Sequence, residues 1–240
     1  GAGSAGCVLA RRLTEDPSVS VLLLEAGSKD SNPWIHIPAG FIKTLSDPSV
    51  NWLYQSEPEA ATLNRPIPIP RGKVLGGSSS INGMLYIRGQ HRDYDIWSQL
   101  GNKGWSFDEV LPYFKRSENQ ERGGDAWHGE GGPLNVCDQN EKDNVVCDAV
   151  IAAAEAVGIP RNNDVNGADQ EGFGYCQLTV RKALRWYPEV FYLLKDNVGD
   201  PTGPRLFLVP IWELVAVERE RVDRVGQTGH LKGKWVLDLS

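Results

Sequence analysis

The feature that most restricts the fold is a glycine pattern at the start of the chain, Gly1-x-Gly3-x-x-Gly6. Apolar residues then recur at helical spacing over residues 4–14, so the glycines lead directly into a helix. In a dinucleotide-binding βαβ unit the first glycine makes a tight turn, the second lets the backbone approach the pyrophosphate, and the third lets helix and strand pack closely. The pattern therefore predicts an α/β fold with phosphate at the start of a helix.

A short apolar run over residues 19–24 follows this helix and is typical of a buried strand in a parallel sheet. The run ends at Glu25, which lies 19 residues after Gly6. A carboxylate at this place accepts hydrogen bonds from ribose hydroxyls and disfavours the 2′-phosphate of NADP. The spacing leaves NAD and FAD open, and a glycine-rich turn before an ordinary amphipathic helix is the competing interpretation.

The composition excludes several other classes of protein. Hydrophobic residues make up 40% and charged residues 23% of the 240 residues, which is the balance of a folded protein. The net charge of −6 argues against a nucleic-acid partner, and no run approaches the roughly 20 apolar residues of a membrane span. No leader peptide is visible, so we expect a soluble or peripheral protein of the cytoplasm or an organelle, whose targeting segment could be missing from the start.

Cysteine and histidine usage predicts no metal site. The cysteines form no CxxC pair, which favours thiols over zinc ligands, and the histidines form no HExxH arrangement. These residues are Cys7, Cys137, Cys147 and Cys176, and His36, His91, His128 and His230. We expect His128, which precedes Gly129, to have a structural role in a turn, because the sequence shows no partner that would orient it as a base.

Local patterns predict further elements. These are a helix over residues 107–118, a helix over residues 143–157 and a strand over residues 173–180. Ser106 and Glu109 have the spacing of a capping box at the start of the first of these helices. Residues 28–70 are rich in Pro, Ser and Trp without a sustained period, so we expect a long irregular segment of the kind that often carries function.

A second glycine cluster lies at Gly72–Gly89 and includes the run Gly76-Gly-Ser-Ser-Ser80. A flexible linker would have a similar composition. The segment, however, continues into the apolar stretch at residues 81–87, which indicates ordered structure. Small residues here would let the main chain lie against a flat ligand, with successive N–H groups forming a cradle.

These residues carry a family resemblance. Residues 72–95 resemble the first signature of the glucose–methanol–choline (GMC) flavin oxidoreductases, and the opening glycines and residues 22–27 resemble the same family. Further matching motifs lie at 51–52, 93–97, 104–105, 111–114, 128–129, 131–134 and 171–174. The chain is most similar to the choline-dehydrogenase-like branch, over about residues 1–186. The resemblance implies an α/β fold, an FAD-binding Rossmann-like parallel sheet with the start of an interleaved α+β substrate domain.

The resemblance implies FAD as the cofactor. In the family, the opening glycines hold the pyrophosphate, an acid like Glu25 holds the adenosine ribose, Val74 lies in a flavin-contacting position, and the stretch like residues 82–85 runs beside the isoalloxazine ring. Some members carry a flavin-linking His where this chain has Asn82, so the FAD is expected to be non-covalent. The residues implied to bind FAD are Gly1, Gly3, Ser4, Ala5, Gly6, Glu25, Ala26, Arg71, Val74, Gly76, Gly77, Ser78, Asn82, Gly83, Met84 and Leu85.

The implied reaction is oxidation of a small-molecule alcohol, in which a hydride passes from the CH–OH carbon to flavin N5. The catalytic base of the family lies in a C-terminal region to which no residue here corresponds, so we assign no catalytic residue. The electron acceptor stays unassigned. An NAD-binding Rossmann protein is less favoured, because the cluster at residues 72–95 would then have no role.

We expect an FAD-binding region over residues 1–98 that lacks its first strand, the start of the substrate-side region over residues 99–186, and a divergent tail over residues 187–240. The family match is expected to end near Trp186. These features suggest a fragment, inactive and poorly soluble by itself and weak in FAD binding. A non-catalytic FAD-binding product is therefore the main alternative to an enzyme.

Overall fold

The computed structural model describes residues 1–16, 18–139 and 144–187, together with the backbone of a strand at 205–210. The helices are α1 (Ser4–Leu13), α2 (Pro33–His36), α3 (Phe41–Thr44), α4 (His91–Gln99), α5 (Phe107–Ser117) and α6 (Val145–Ala156). The strands are β1 (Ser20–Glu25), β2 (Tyr54–Gln55), β3 (Pro68–Ile69), β4 (Leu85–Tyr86), β5 (Glu118–Gln120), β6 (Leu134–Val136), β7 (Gln177–Leu178), β8 (Val180–Arg181), β9 (Leu184–Arg185) and β10 (Arg205–Pro210). Of the divergent tail predicted over residues 187–240, only Tyr187 and the strand at 205–210 lie within the described residues.

The first helix and strand form where the sequence predicts them. α1 buries Cys7 and Ala10 against Leu23 of β1 and against Leu75 of the second glycine cluster. β1 pairs in parallel with β10 over their whole length, from Ser20 opposite Arg205 to Glu25 opposite Pro210. Glu25, at the carboxyl end of β1, accepts a hydrogen bond from the Ala2 N–H just before α1, so this end of the strand lies at the usual ligand edge of an α/β sheet.

A second core lies behind the second glycine cluster. It consists of Ile35, Val50, Val74, Ile81 and Tyr187, all of which are at most 2% exposed. Its members come from four separate segments of the chain, so this core holds the cluster in one conformation.

The segment at residues 28–70 is more regular than the sequence indicates. It contains α2 and α3, two 3-10 turns, and strands β2 and β3, which pair antiparallel. α2 forms because the side chain of Asn32 accepts a hydrogen bond from the Trp34 N–H and Pro33 occupies the first helical position. Such short helices carry no sustained period, which explains why pattern reasoning misses them.

The predicted capping box at α5 is confirmed. Ser106 and Glu109 exchange the two expected hydrogen bonds at the start of the helix. α4 begins with a similar box between Gln90 and Asp93, which the pattern does not reveal because Gln is an uncommon cap. Between these helices the ring of His91 stacks on Phe107 with centroids 3.5 Å apart.

The last two predicted elements differ in outcome. The helix predicted over residues 143–157 is confirmed as α6, and the side chain of Asn144 caps its start. The strand predicted over residues 173–180 is wrong in its extent, since only the short strands β7 and β8 form there. The two strands have different partners, because Leu178 pairs with Leu85 of β4 and Val180 pairs with Arg185 of β9. Thr179 lies between them, and its N–H donates to the Met84 carbonyl at 2.8 Å at the end of the β4–β7 ladder.

Candidate functional site

The two glycine clusters meet in space. The Gly76 N–H donates to the Ala2 carbonyl at 2.7 Å, which joins the second cluster to the first. A Cβ on Gly77 would lie 2.9 Å from the Gly3 Cα, and a Cβ on Gly6 would lie 1.9 Å from the Gly1 carbonyl oxygen. Side chains at these positions would push the backbones apart, so glycine is required for this close packing.

The start of α1 presents unpaired backbone donors to this junction. Gly3 is the N-cap residue and has no side chain to cap the helix. Ser4 and Ala5 in the first turn are exposed. The first N–H groups of a helix have no intrahelical partner and carry a partial positive charge, so this end of α1 can bind an anion such as a pyrophosphate.

Glu25 links the end of β1 to the first glycine turn. Its side chain is 7% exposed and accepts from the Ala2 N–H at 2.7 Å and from the Gly27 N–H at 2.8 Å. A carboxylate offers about four acceptor positions, so two hydrogen bonds leave capacity for ribose hydroxyls. Ala26, next in the chain, is half-buried. The carboxylate is thus fixed at the edge of the glycine junction.

The second cluster is shaped by its glycines and serines. Gly76 has a φ of +85°, and a Cβ there would clash with the ring of Tyr187 at 2.9 Å. The Ser78 Oγ accepts from the Gly72 N–H at 3.0 Å, and the Ser78 side chain is otherwise exposed. Residues 77–80 therefore form an ordered 3-10 turn rather than a flexible linker.

Two residues predicted to bind the cofactor have different surroundings from the rest. Val74 is fully buried in the second core, so its side chain packs against Ile35 and Tyr187. Arg71 is exposed, and its guanidinium donates to the neighbouring Pro70 carbonyl. Their proximity to a bound cofactor stays a prediction, but the packing of Val74 leaves only its main chain to face a ligand.

The stretch at residues 82–85, which follows the second cluster, is exposed to solvent on one side. Asn82, Gly83 and Leu85 are exposed, whereas Met84 is 4% exposed and points inward. Met84 has a φ of 61°, and its N–H donates to Asn82 Oδ1 at 3.0 Å. A Cβ on Gly83 would meet no atom within 4 Å. This exposed backbone with one apolar side chain, Leu85, is suited to a flat ring.

These features together fit a dinucleotide cofactor. The helix start supplies donors for a pyrophosphate, the fixed carboxylate of Glu25 supplies acceptors for a ribose, and the open stretch at residues 82–85 supplies a surface for a ring. The sixteen residues predicted to bind FAD thus fall into three short groups on two touching glycine clusters, with the side chain of Val74 facing away.

Comparison with known proteins identifies the family. The family model described as GMC oxidoreductase matches residues 1–197. The chain belongs to the GMC oxidoreductase family. FAD is therefore its cofactor, and the FAD-binding α/β fold is that of its structural neighbours.

The similar proteins are dehydrogenases and oxidases. An oxygen-dependent choline dehydrogenase of Sinorhizobium fredii is 47% identical, over 80% of this chain and 35% of its own length. An oxygen-dependent choline dehydrogenase of Rhizobium etli is 44% identical, over 93% of this chain and 42% of its own length. A pyridoxine 4-oxidase structure from Mesorbium loti matches with a TM-score of 0.81 and 34% identity, over 88% of this chain and 41% of that chain. The chain therefore spans about two fifths of the relatives it matches.

The expectation that the match ends near Trp186 is wrong. The GMC model continues to residue 197, and the Rhizobium etli alignment covers 93% of the chain. Farther along the chain, β10 pairs in parallel with β1, so residues 205–210 lie in the same sheet as the first strand. The domain bounds at residues 98 and 186 stay predictions.

A buried charge network that local sequence patterns do not reveal surrounds His128. His128 is 2% exposed, with Nδ1 3.1 Å from Glu118 Oε1 and Nε2 2.8 Å from Asp164 Oδ2. Glu118 is fully buried and also accepts from Arg88 Nη2 at 2.7 Å. The structural role expected for His128 fits this burial, but the expectation that it lacks partners is wrong, because both partners lie far away in the sequence.

The network determines the protonation of His128. Burial by itself would lower the pKa of His128, but the hydrogen bonds and charges of Asp164 and Glu118 outweigh it and raise the pKa to about 9. The same contact lowers the pKa of Asp164. His128 is therefore an imidazolium at neutral pH and cannot serve as a base, which leaves its role as a link between β5, the turn at Gly129 and the loop at Asp164.

The other cysteines and histidines of the described ranges form no metal site. In the described part of the chain no group of His, Cys, Asp and Glu could hold a metal ion, and no disulfide is present. His36 contacts the Asp30 carbonyl, His91 lies in the aromatic stack, and His230 lies outside the described residues. Within the same described ranges no helix is long and apolar enough to cross a membrane.

Sequence reasoning also missed Arg185, which is 3% exposed beside the open stretch. Its Nε donates to the Ile35 carbonyl at 2.7 Å, and its Nη1 donates to the Ser79 carbonyl and to Asn82 Oδ1 at 3.0 and 2.6 Å. These partners lie more than 100 residues away in the sequence. A single sequence carries no signal for such contacts.

Proposed function

We propose that this chain is the FAD-binding part of an oxidoreductase that oxidises the CH–OH group of an alcohol, with hydride transfer to flavin N5. The observation that carries the proposal is the junction of the two glycine clusters at the start of α1, in a chain of the GMC family. When bound, FAD supplies the redox chemistry, and the protein supplies position and electrostatics.

Each group of site residues has a role in this proposal. The N–H groups of residues 4–6 and the glycine backbones hold the pyrophosphate, and Glu25 accepts from the adenosine ribose. The second cluster and residues 82–85 lie along the flavin, with Leu85 offering an apolar contact. The FAD is non-covalent in this proposal. Arg71 and Ser78 lie at the rim, where both are exposed.

The substrate class is an alcohol of small size, and choline is the first candidate to test. The proposal is supported by relatives named choline dehydrogenase at 43–47% identity and by a neighbour named pyridoxine 4-oxidase, since both names refer to alcohol-bearing compounds. No catalytic base is assigned among the described residues, and the electron acceptor is not assigned either.

The negative net charge of −6 gives no support to a nucleic-acid partner. A location in the cytoplasm or an organelle stays a prediction; one relative is named mitochondrial.

The proposal is tested by anaerobic reduction of the bound flavin. Purified protein supplied with FAD should show the absorbance of bound oxidised flavin, and choline or another small alcohol should bleach it without any other reductant. The matched control is the ether or deoxy analogue of the same compound, which has no CH–OH group and should leave the spectrum unchanged. Purified protein that binds NADH and retains no flavin would contradict the proposal.

A second candidate is an FAD-binding protein without activity of its own. The observation that favours it is that the assigned residues hold the cofactor and none of the described residues is assigned to proton transfer. Under this candidate the flavin binds but no alcohol reduces it, while dithionite still does. The bleaching experiment therefore distinguishes the two candidates directly.

A further inference from the structure

The orientation of the Asn82 side chain is determined by two donors. Its Oδ1 accepts from the Met84 N–H at 3.0 Å and from Arg185 Nη1 at 2.6 Å. Because both neighbours can only donate, the oxygen of the amide must face them. The amide nitrogen, Nδ2, then faces the exposed side, and no other described residue accepts from it.

Arg185 is a buried cation without a carboxylate partner among the described residues. Its side chain makes three hydrogen bonds to Ile35, Ser79 and Asn82, all of them neutral acceptors. Its Nη2 is buried and has no partner in the described part of the chain. Burial lowers the pKa of Arg185 to about 10, so the guanidinium still carries its charge at neutral pH.

A buried, uncompensated charge acts over a longer range than an exposed one, because little solvent screens it. Here the charge is directed at the Asn82 oxygen and polarises the amide, which makes the outward N–H a stronger donor. The exposed neighbours of this donor are Gly83 and Leu85, on the stretch proposed to face the flavin.

We propose that Arg185 is a positioning residue, which fixes Asn82 so that its amide N–H donates to an acceptor atom of the bound flavin and which stabilises the electron-rich, reduced form of that flavin. This inference rests on the proposed placement of the flavin beside residues 82–85. Arg185 does not touch the cofactor; it acts through Asn82.

The variant that tests the proposal most directly is Asn82→Asp. The quantity measured is the two-electron reduction potential of the FAD-loaded protein, by titration against a reference dye. The carboxylate keeps the acceptor for Met84 and Arg185, so the fold is retained, but it presents an oxygen instead of a donor and pairs with the guanidinium. We expect the preference for reduced over oxidised flavin to fall at least tenfold, which corresponds to a potential lower by about 30 mV. An unchanged potential in this variant would overturn the proposal.

Variants at Arg185 separate the charge from the contacts. R185Q removes the charge and should lower the potential in the same direction, whereas R185K keeps the charge and should recover at least part of the loss. The control is R181Q, which removes the same charge from an exposed position on the same β8–β9 hairpin and should leave the potential unchanged.

Two other outcomes are decisive. R185Q and Asn82→Asp could unfold at a lower urea concentration than wild type and yet keep the wild-type reduction potential. In that case Arg185 is only a structural link between α2 and the 3-10 turn at residues 77–80, and the proposal is wrong. If wild-type protein binds no FAD, the proposed function fails instead, and the two failures are distinguishable because the wild-type spectrum is recorded first.

Discussion

The network around His128 predicts a pH dependence of stability that can be calculated from the structure. The pKa of His128 is raised from 6.5 to about 9 by Glu118 and Asp164, against the effect of burial. Because about 1.4 kcal/mol corresponds to each tenfold change in proton affinity, the charged form is stabilised by about 3 kcal/mol on folding. The side chain is 2% exposed, so solvent screening is small.

The sign follows from the direction of the shift. The folded-state pKa is above the unfolded value, so this stabilisation is fully present below about pH 6.5 and is lost as the pH rises through about 9. The lowered pKa of Asp164 reflects the same contact and is not counted again. We therefore expect the free energy of unfolding to fall by about 3 kcal/mol between about pH 6.5 and about pH 9.5.

The assay is urea unfolding followed by tryptophan fluorescence across that pH range, on wild type and H128Q. The Gln side chain cannot be protonated, so H128Q should lose about 3 kcal/mol at neutral pH and show little further loss at alkaline pH. H91Q is the matched control, because His91 stacks on Phe107 and has no carboxylate in its ring contacts. A parallel loss of stability in wild type and H128Q between neutral and alkaline pH would show that His128 is not the source of the pH dependence.

Three further predictions follow from the site and the caps. Gly6→Val should weaken FAD binding at least tenfold, because a Cβ would lie 1.9 Å from the Gly1 oxygen. The dissociation constant of FAD is measured by titration, with G124A as the control variant. An affinity of G6V for FAD equal to that of the wild type would contradict this prediction. Denaturation and filtration should release all of the flavin, and yellow colour retained on the unfolded chain would show a covalent link instead. S106A should lose about 1 kcal/mol of stability by removing the capping box of α5, and an unchanged urea midpoint would count against that role.

Local patterns predict the elements with strong local signals. α1 and β1 follow from periodicity and from an apolar run, and the capping box of α5 follows from the spacing of Ser106 and Glu109. α2 and α3 were not predictable in this way, because each is four residues long and its position depends on the core around Ile35 and Val74. The strand predicted at residues 173–180 forms only as two short strands, because Leu178 pairs with Leu85 and Val180 pairs with Arg185, and the choice of pairing partners is set by tertiary structure.

The candidate site was predictable where glycine is required by sterics. The spacing of the opening glycines and of Gly76 favours close backbone packing, and the structure brings these glycines together. The partners of His128 and of Arg185 were not predictable, because they join residues that are distant in sequence and whose types, Glu, Asp and Asn, are common on any surface. Long-range polar contacts of this kind leave no period or spacing in a single chain.

The most direct test of the account is an experimental structure of the protein with FAD bound. We expect a pyrophosphate within hydrogen-bond distance of the backbone N–H groups of residues 4–6, a ribose on Glu25, and the flavin ring along residues 82–85. FAD bound elsewhere, or a nicotinamide dinucleotide on the two glycine clusters, would contradict it.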